Sequence, residues 1–331
     1  MTSISDIELD EFNDRLKGKV VVLTGAAHGI GKVTALKLGL MGARLVLSDK
    51  NAEGMKHTAE EVVKAGGEAI STSCDVTVWE EQLAMFELAM AKFGSVDVVV
   101  ANAGVGEIGK FQQPRYNEAH QPQKPNLGTV DINLVGTLYS IHLGLHYMKK
   151  DQTPESLKAI VLVGSIASWM GIPRGPLYSA SKHGILGVMR SLHTILHAQN
   201  IRVGIVCPWF AETGIINPEV RVLIAGLPRA SVPRIADAIV YCATNPDPKT
   251  DGCAWLLLND GPVVRVDRDM LKTGVYEVLD DRVNTQSRNL SGPIFWARFA
   301  LDIGIVLKKP LAFLGVVIAI SMAWRRVPKL F

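Results

Sequence analysis

Val20-Val21-Val22-Leu23-Thr24-Gly25-Ala26-Ala27-His28-Gly29-Ile30-Gly31 is the stretch that decides how this chain folds. The β-branched run Val20 to Leu23 reads as a buried strand. From Gly31 to Met41, apolar Val33, Leu36 and Leu40 recur at helical spacing. Between strand and helix lie Thr24, Gly25, His28, Gly29, Ile30 and Gly31. Glycines at such a junction permit a tight turn and let the backbone approach a pyrophosphate, which then sits at the positive N-terminus of the helix. Glycine turns are common, so the spacing alone says little; its place directly after the strand gives it weight.

Outward from this turn the pattern repeats. Short β-branched runs at Arg44 to Ser48, Ala69 to Cys74, Val96 to Ala101, Ile160 to Val163, Val203 to Cys207 and Ala254 to Leu258 alternate with helical stretches. Such alternation predicts an α/β fold, a doubly wound parallel sheet of the Rossmann type with helices on both faces. No linker interrupts residues 19–266, which are read as one domain. Residues 1–18 are read as an N-terminal extension in which Ile4, Ile7 and Phe12 form a short amphipathic helix. Residues 267–289 connect to an apolar helical tail, 290–331. Ala211 to Val232 has weak periodicity, as a mobile lid would.

The formal charge of +3 and the absence of basic runs interleaved with aromatics exclude a nucleic-acid partner. Cys74, Cys207, Cys242 and Cys253 form no C-x-x-C pair, so free thiols in a reducing compartment are expected. The histidines are read as lacking metal-ligand spacing, and no metal is expected. Acidic residues from Asp6 to Asp14 stand where a signal peptide needs positive charge, which argues against secretion.

Asp49 ends the second strand, about twenty residues beyond the glycines. A carboxylate there accepts hydrogen bonds from both ribose hydroxyls of an adenosine and repels a 2′-phosphate, which favours NAD over NADP. Lys50 and His28 pull the other way, since either could compensate a phosphate. Tyr178-Ser179-Ala180-Ser181-Lys182 places a phenol and an ammonium one helical turn apart. A free tyrosine titrates near ~10, and a nearby ammonium favours its phenolate, making it a better base. Ser165 follows the fifth strand at the sheet's carboxyl edge, where it could donate to a substrate oxygen.

With these motifs the sequence resembles the short-chain dehydrogenase/reductase family from about Lys19 to Val266, near its hydroxyprostaglandin-dehydrogenase branch. The resemblance is carried by T-G-A-A-H-G-I-G, Cys74-Asp75-Val76, Ala101-Asn102-Ala103-Gly104, Asn133, Ser165 and Tyr178-x-x-x-Lys182. It implies that Asp75 and Val76 contact adenine and that Asn102, Ala103 and Gly104 support the cofactor. It also implies that Asn133 kinks its helix so that a backbone carbonyl holds a water linking Lys182 to solvent. Lys182 would bond the nicotinamide ribose, while Pro208 and Thr213 flank the carboxamide. Two residues depart from the family pattern: Ala101 replaces an asparagine and Trp209 a glycine.

The expected activity is hydride transfer between a secondary alcohol and NAD, with Tyr178 as acid–base group. An NADPH-dependent ketone reductase and a cofactor-binding scaffold without turnover are the rivals. Apolar Trp169, Met170, Ile172, Trp209, Phe210 and Val222 point to a lipophilic substrate. Leu311 to Trp324 is uncharged and apolar, between Lys308-Lys309 and Arg325-Arg326. A helix of that length spans only about 21 Å, short of the ~30 Å hydrocarbon core. An interfacial anchor on the cytoplasmic side of a membrane is therefore expected, with packing on protein as the alternative. The family resemblance implies a homodimer or homotetramer built on the helix of Tyr178.

Overall fold

The computed structural model describes residues 1–149, 153, 156–214, 221–222 and 224–271, with scattered positions between 293 and 308. The chain divides into two compact units, Met1–Leu271 and Lys272–Phe331. In the second unit, residues 301–305 are helical, with Leu301 and Ile305 exposed. The expected apolar run over 311–324 and part of the lid, 215–220 and 223, lie outside the described residues. Among the described residues no helix is long and apolar enough to cross a membrane.

The first unit is built on a nine-stranded sheet. Its strands are β1 (Thr2–Ile4), β2 (Val20–Thr24), β3 (Arg44–Asp49), β4 (Glu68–Ser73), β5 (Val98–Ala101), β6 (Ala159–Val163), β7 (Arg202–Pro208), β8 (Ala254–Leu257) and β9 (Val263–Val266). Their order is β1-β9-β8-β7-β6-β5-β2-β3-β4. Strands β2 to β8 pair parallel among themselves, and the order reverses between β2 and β5. That is the switch point beside which ligands of open α/β sheets bind.

Strict alternation explains the layering. Val21, Leu23, Leu45, Leu47, Val98, Val100 and Val161 face one core with Ala35 and Leu38 of α2 (Gly29–Leu40). The same core holds Met55 and Val62 of α3 (Ala52–Lys64) and Ile235 and Ile239 of the C-terminal helix Val232–Thr244. Val20, Val22, Val46, Val99, Ile160 and Leu162 face the other core. There they meet α4 (Trp79–Phe93), the helix Gly136–Tyr147 and the long helix Pro176–Ala198. Strands buried on both faces read as continuous apolar runs, as Val20 to Leu23 does. Cutting Leu162 to alanine would cost about 2–5 kcal/mol.

Two expectations need correction. The sheet is not wholly parallel, because β8 with β9 and β9 with β1 run antiparallel. Nor do Ile4, Ile7 and Phe12 share one amphipathic helix. Ile4 lies in an edge strand, a short helix α1 (Asp6–Asp10) follows, and Ile7 on it is 87% exposed. Leu9 and Leu16 take the buried positions instead, with Phe12 partly buried beside them. A capping box explains the helix start: Ser5 Oγ accepts from Glu8 N–H while the Glu8 carboxylate accepts from Ser5 N–H.

With α1 to α4 defined, the remaining helices are α5 (Gly128–Val130), α6 (Gly136–Tyr147), α7 (Pro176–Ala198) and α8 (Val232–Thr244). A π-helical turn, Asp131–Val135, joins α5 to α6.

Candidate active site

The glycine turn is held from behind by the end of β5. Thr24 Oγ1 accepts from the N–H groups of Asn102 (3.2 Å) and Ala103 (3.1 Å). The Asn102 amide donates to the carbonyls of Thr24 and Gly25, both at 2.9 Å. A Cβ on Gly25, whose φ is +71°, would lie 2.8 Å from Ala103 Cα. On Gly31 it would lie 2.0 Å from the Gly25 carbonyl oxygen. The turn therefore requires glycine at both positions. His28 caps α2 in extended backbone without a side-chain hydrogen bond, and Ile30 packs partly on the core. Thr213 comes to Gly29: a Cβ there would meet Thr213 Cγ2 at 3.3 Å.

Asp49, the last residue of β3, accepts from Ala27 N–H at 3.0 Å and from Asn51 N–H at 2.9 Å. It thus ties the second strand to the glycine turn. Asp75 accepts from Thr77 and pairs with Lys50 at 2.7 Å, and Lys50 followed by Thr77 holds its carboxyl down at about 2. Val76 turns inward, packed over Gly136. Pro208 closes β7 at the same carboxyl edge.

Ser165 stands two residues beyond the end of β6 and is the N-cap of a short turn, its Oγ accepting from Ala167 N–H at 3.1 Å. That hydroxyl also hydrogen-bonds the Tyr178 phenol. One turn along α7 the Lys182 ammonium is 5.8 Å from the Tyr178 ring centre and donates to the Val163 carbonyl at 2.8 Å. Asn133 is fully buried in the π-helical turn. Its side chain brackets Val105, accepting from N–H at 2.8 Å and donating to the carbonyl at 2.9 Å. Its backbone carbonyl accepts from Thr137 Oγ1. A Cβ on Gly104 would stand 3.2 Å from Asn133 Oδ1 and 3.6 Å from Lys182 Nζ, so these residues converge.

The electrostatics differ from the simple expectation. Burial pushes the Tyr178 phenol upward, the Ser165 hydrogen bond opposes this, and the net direction is up. Burial pushes Lys182 down to about 8. Desolvation of the phenolate outweighs the Ser165 hydrogen bond.

Trp209 and Phe210 are half-buried just beyond β7, their rings edge-to-face at 4.8 Å. Arg190 lies over the Trp169 ring at 4.8 Å. Val222, expected in the pocket, is 79% exposed. The described part of the lid is closed at its base by a bridge between Ala211 and Ala230 and by Glu212 pairing with Arg229 and Arg221.

Sequence reading missed Glu107. Its carboxylate accepts from the N–H groups of Leu177 (3.3 Å) and Tyr178 (2.7 Å). A lone glutamate in a loop carries no motif, and only the fold brings it to α7. The statement that the histidines lack ligand spacing is also corrected. His193 and His197, one turn apart on α7, meet Asp251 with their ligand atoms within 4.8 Å of one another. There Asp251 accepts from Val203 N–H, and Arg268 stands 3.4 Å from His193 Nε2, so hydrogen bonds already fill the cluster. All four cysteines are free and buried.

The sequence profile of the short chain dehydrogenase family matches residues 19–221, and the chain belongs to that family. It is 32% identical over 238 residues to the short-chain dehydrogenase/reductase ascJ of Acremonium egyptiacum, covering 70% of this chain and 78% of that protein. It is 34% identical over 206 residues to the 15-hydroxyprostaglandin dehydrogenase [NAD(+)] of Mus musculus, covering 61% and 71%. The 5'-hydroxyaverantin dehydrogenase of Dothistroma septosporum is 31% identical over 250 residues, covering 70% and 81%. A carveol dehydrogenase of Mycobacterium avium, solved in complex with NAD, shares the fold with a TM-score of 0.64 at 24% identity, over 75% of this chain and 98% of that one. The protein is thus an oxidoreductase of the short-chain dehydrogenase family.

Proposed function

We propose that the protein moves a hydride between a lipophilic secondary alcohol and NAD, with Tyr178 as acid–base group. The observation that carries this reading is the meeting of Ser165, Tyr178, Lys182 and Asn133 at the carboxyl edge of β6, next to the glycine turn. Ser165 spends a lone pair on Ala167 N–H, and its O–H, beside the Tyr178 phenol, would donate to the alcohol oxygen when substrate enters. Tyr178 takes the hydroxyl proton in oxidation and returns it in reduction. Lys182, as ammonium, stabilises the phenolate and reaches toward the nicotinamide ribose. Asn133 holds the π-helical turn beside it, and its backbone carbonyl would order the water that links Lys182 to solvent. When bound, the nicotinamide supplies the hydride chemistry.

The residues at the other end of the cleft suit the same cofactor. Gly25, Gly29 and Gly31 would let a pyrophosphate approach the N-terminus of α2, with His28 and Ile30 beside it. Asp49 would take the adenosine ribose, Asp75 and Val76 the adenine, and Pro208 and Thr213 the carboxamide. The NAD-dependent 15-hydroxyprostaglandin dehydrogenases among its relatives support NAD and a lipid-like alcohol.

Screening lipophilic secondary alcohols for NADH formation tests the proposal. Turnover should appear in the native chain and vanish in Tyr178→Phe with cofactor binding retained; undiminished turnover in that variant refutes it. The upward push on Tyr178 favours the phenol as donor, which supports ketone reduction as the second reading. The apolar, cation-flanked tail supports contact with an anionic lipid surface. Vesicle co-sedimentation with and without residues 290–331 tests it, and equal partition overturns it. Self-association through α7 completes the reading, and light scattering would reveal a monomer if it is wrong.

A further inference from the structure

The first turn of α7 lacks a cap of its own. Gly175 at the N-cap has no side chain, and Pro176 brings no N–H. Ser179 N–H already bonds the Gly175 carbonyl. The donors of that turn left without an intrahelical partner are Leu177 and Tyr178 N–H, and both go to Glu107, one to each carboxylate oxygen. The carboxylate thus supplies from another segment what the helix start does not.

The residues beside Glu107 are themselves fixed. Val105 is bracketed by the Asn133 side chain. Ile108 N–H donates to Thr129 Oγ1 at 2.8 Å, and that hydroxyl donates to the Gly106 carbonyl at 3.1 Å. A continuous path therefore runs from Asn133 in the π-helical turn, through residues 105–108, to the backbone of Tyr178.

We propose that Glu107 is a positioning residue that sets both where the Tyr178 phenol stands and how readily it gives up its proton. This rests on the reading of Tyr178 as acid–base group. The phenol is faced by Lys182 from its own helix, by Cys207 from β7 and by Ser165 beyond β6, while Glu107, from the loop after β5, holds the backbone N–H of the same residue. The positive start of α7 favours a phenolate, and an anion placed on it offsets that preference. Removing the charge should ease deprotonation, while removing the acceptor should loosen the helix start.

The test compares Glu107→Gln and Glu107→Ala with the native enzyme and Tyr178→Phe, over a pH series in the oxidative direction. Glu107→Gln keeps an acceptor; its kcat should stay within about threefold while the acid limb of the profile moves down by roughly 0.3–0.7 pH unit. Glu107→Ala should lose about tenfold or more in kcat with cofactor Kd changed by less than about twofold. Circular dichroism and cofactor binding confirm that the variants are folded, and Glu107→Gln carries the test if the alanine variant is not. An unmoved pH limb in Glu107→Gln overturns the proposal, as does a loss in Glu107→Ala that appears only in cofactor Kd. Tyr178→Phe that still turns over overturns the parent reading and this one together. An inactive Tyr178→Phe beside a native-like Glu107→Gln profile overturns this one alone.

Discussion

The Lys50 ammonium pairs with the Asp75 carboxylate at 2.7 Å, joining the residues that follow β3 and β4. The bond raises Lys50 and holds Asp75 down at about 2, so both stay charged at neutral pH. The cation beside Asp49 that could have balanced a 2′-phosphate is thereby engaged elsewhere. Asp49 itself faces the glycine turn through Ala27 N–H.

We propose that this pairing favours NAD. The kcat/KM with NAD should exceed that with NADP by about tenfold or more, since a phosphate beside Asp49 costs on the order of 1–3 kcal/mol. Asp49→Ala should narrow the gap chiefly by improving NADP. Steady-state kinetics with both cofactors decide it, and a native preference for NADP would be decisive against it.

Lys182 should show a trade between activity and stability. Its amine titrates near 8 in the folded chain because burial penalises the ammonium. An unfolded lysine titrates near ~10.4, so between those values the unfolded chain binds more protons and native stability rises with pH. Lys182→Met should therefore raise Tm by a few degrees at neutral pH while abolishing turnover. A lower Tm would mean that the lost bond to the Val163 carbonyl dominates.

Gly31→Ala should be more damaging than its size suggests. The added methyl would sit 2.0 Å from the Gly25 carbonyl oxygen, so α2 must move off the turn. Cofactor Kd should rise by about tenfold or more, an order-of-magnitude figure for a misplaced binding loop. Fluorescence titration of the cofactor would read it; an unchanged Kd would show that the turn adapts.

Asp251 makes a prediction about acid. Burial raises its carboxyl, but the His193 bond and Val203 N–H outweigh this and hold it below the ordinary value. Its stabilising contribution is present above the unfolded value near ~3.9 and is lost as pH falls through the lower folded one. Asp251→Asn should cost about 1–3 kcal/mol at neutral pH, with the difference shrinking in acid. Denaturant melts at both pH values would show it; a constant difference would contradict the linkage.

The local pattern made most of this legible. Val20 to Gly31 announced strand, turn and helix, because a doubly buried strand and a glycine junction are encoded within a few residues of each other. Tyr178 and Lys182 were readable because one helical turn fixes their relation. What stayed hidden depends on distant segments. Nothing near Val263 marks it as an antiparallel partner of Ile4. Glu107 gains its role only where the loop after β5 meets α7. The i,i+4 spacing of His193 and His197 was passed over as non-ligating, and their partner Asp251 arrives from the turn before β8. The upward push on Tyr178 is a property of burial, which spacing does not report.

The pairing of β1 with β9 has a consequence for synthesis. Thr2 to Ile4 are made long before their hydrogen-bonding partners, Val263 to Arg265. Emerging from the ribosome, the chain can assemble its central strands in order while β1 waits with no mate. The outer margin of the sheet is then sealed by a contact between remote parts of the polymer, the kind whose loop-closure cost makes it a late event. A nascent chain stalled before residue 263 should expose β1 to proteases.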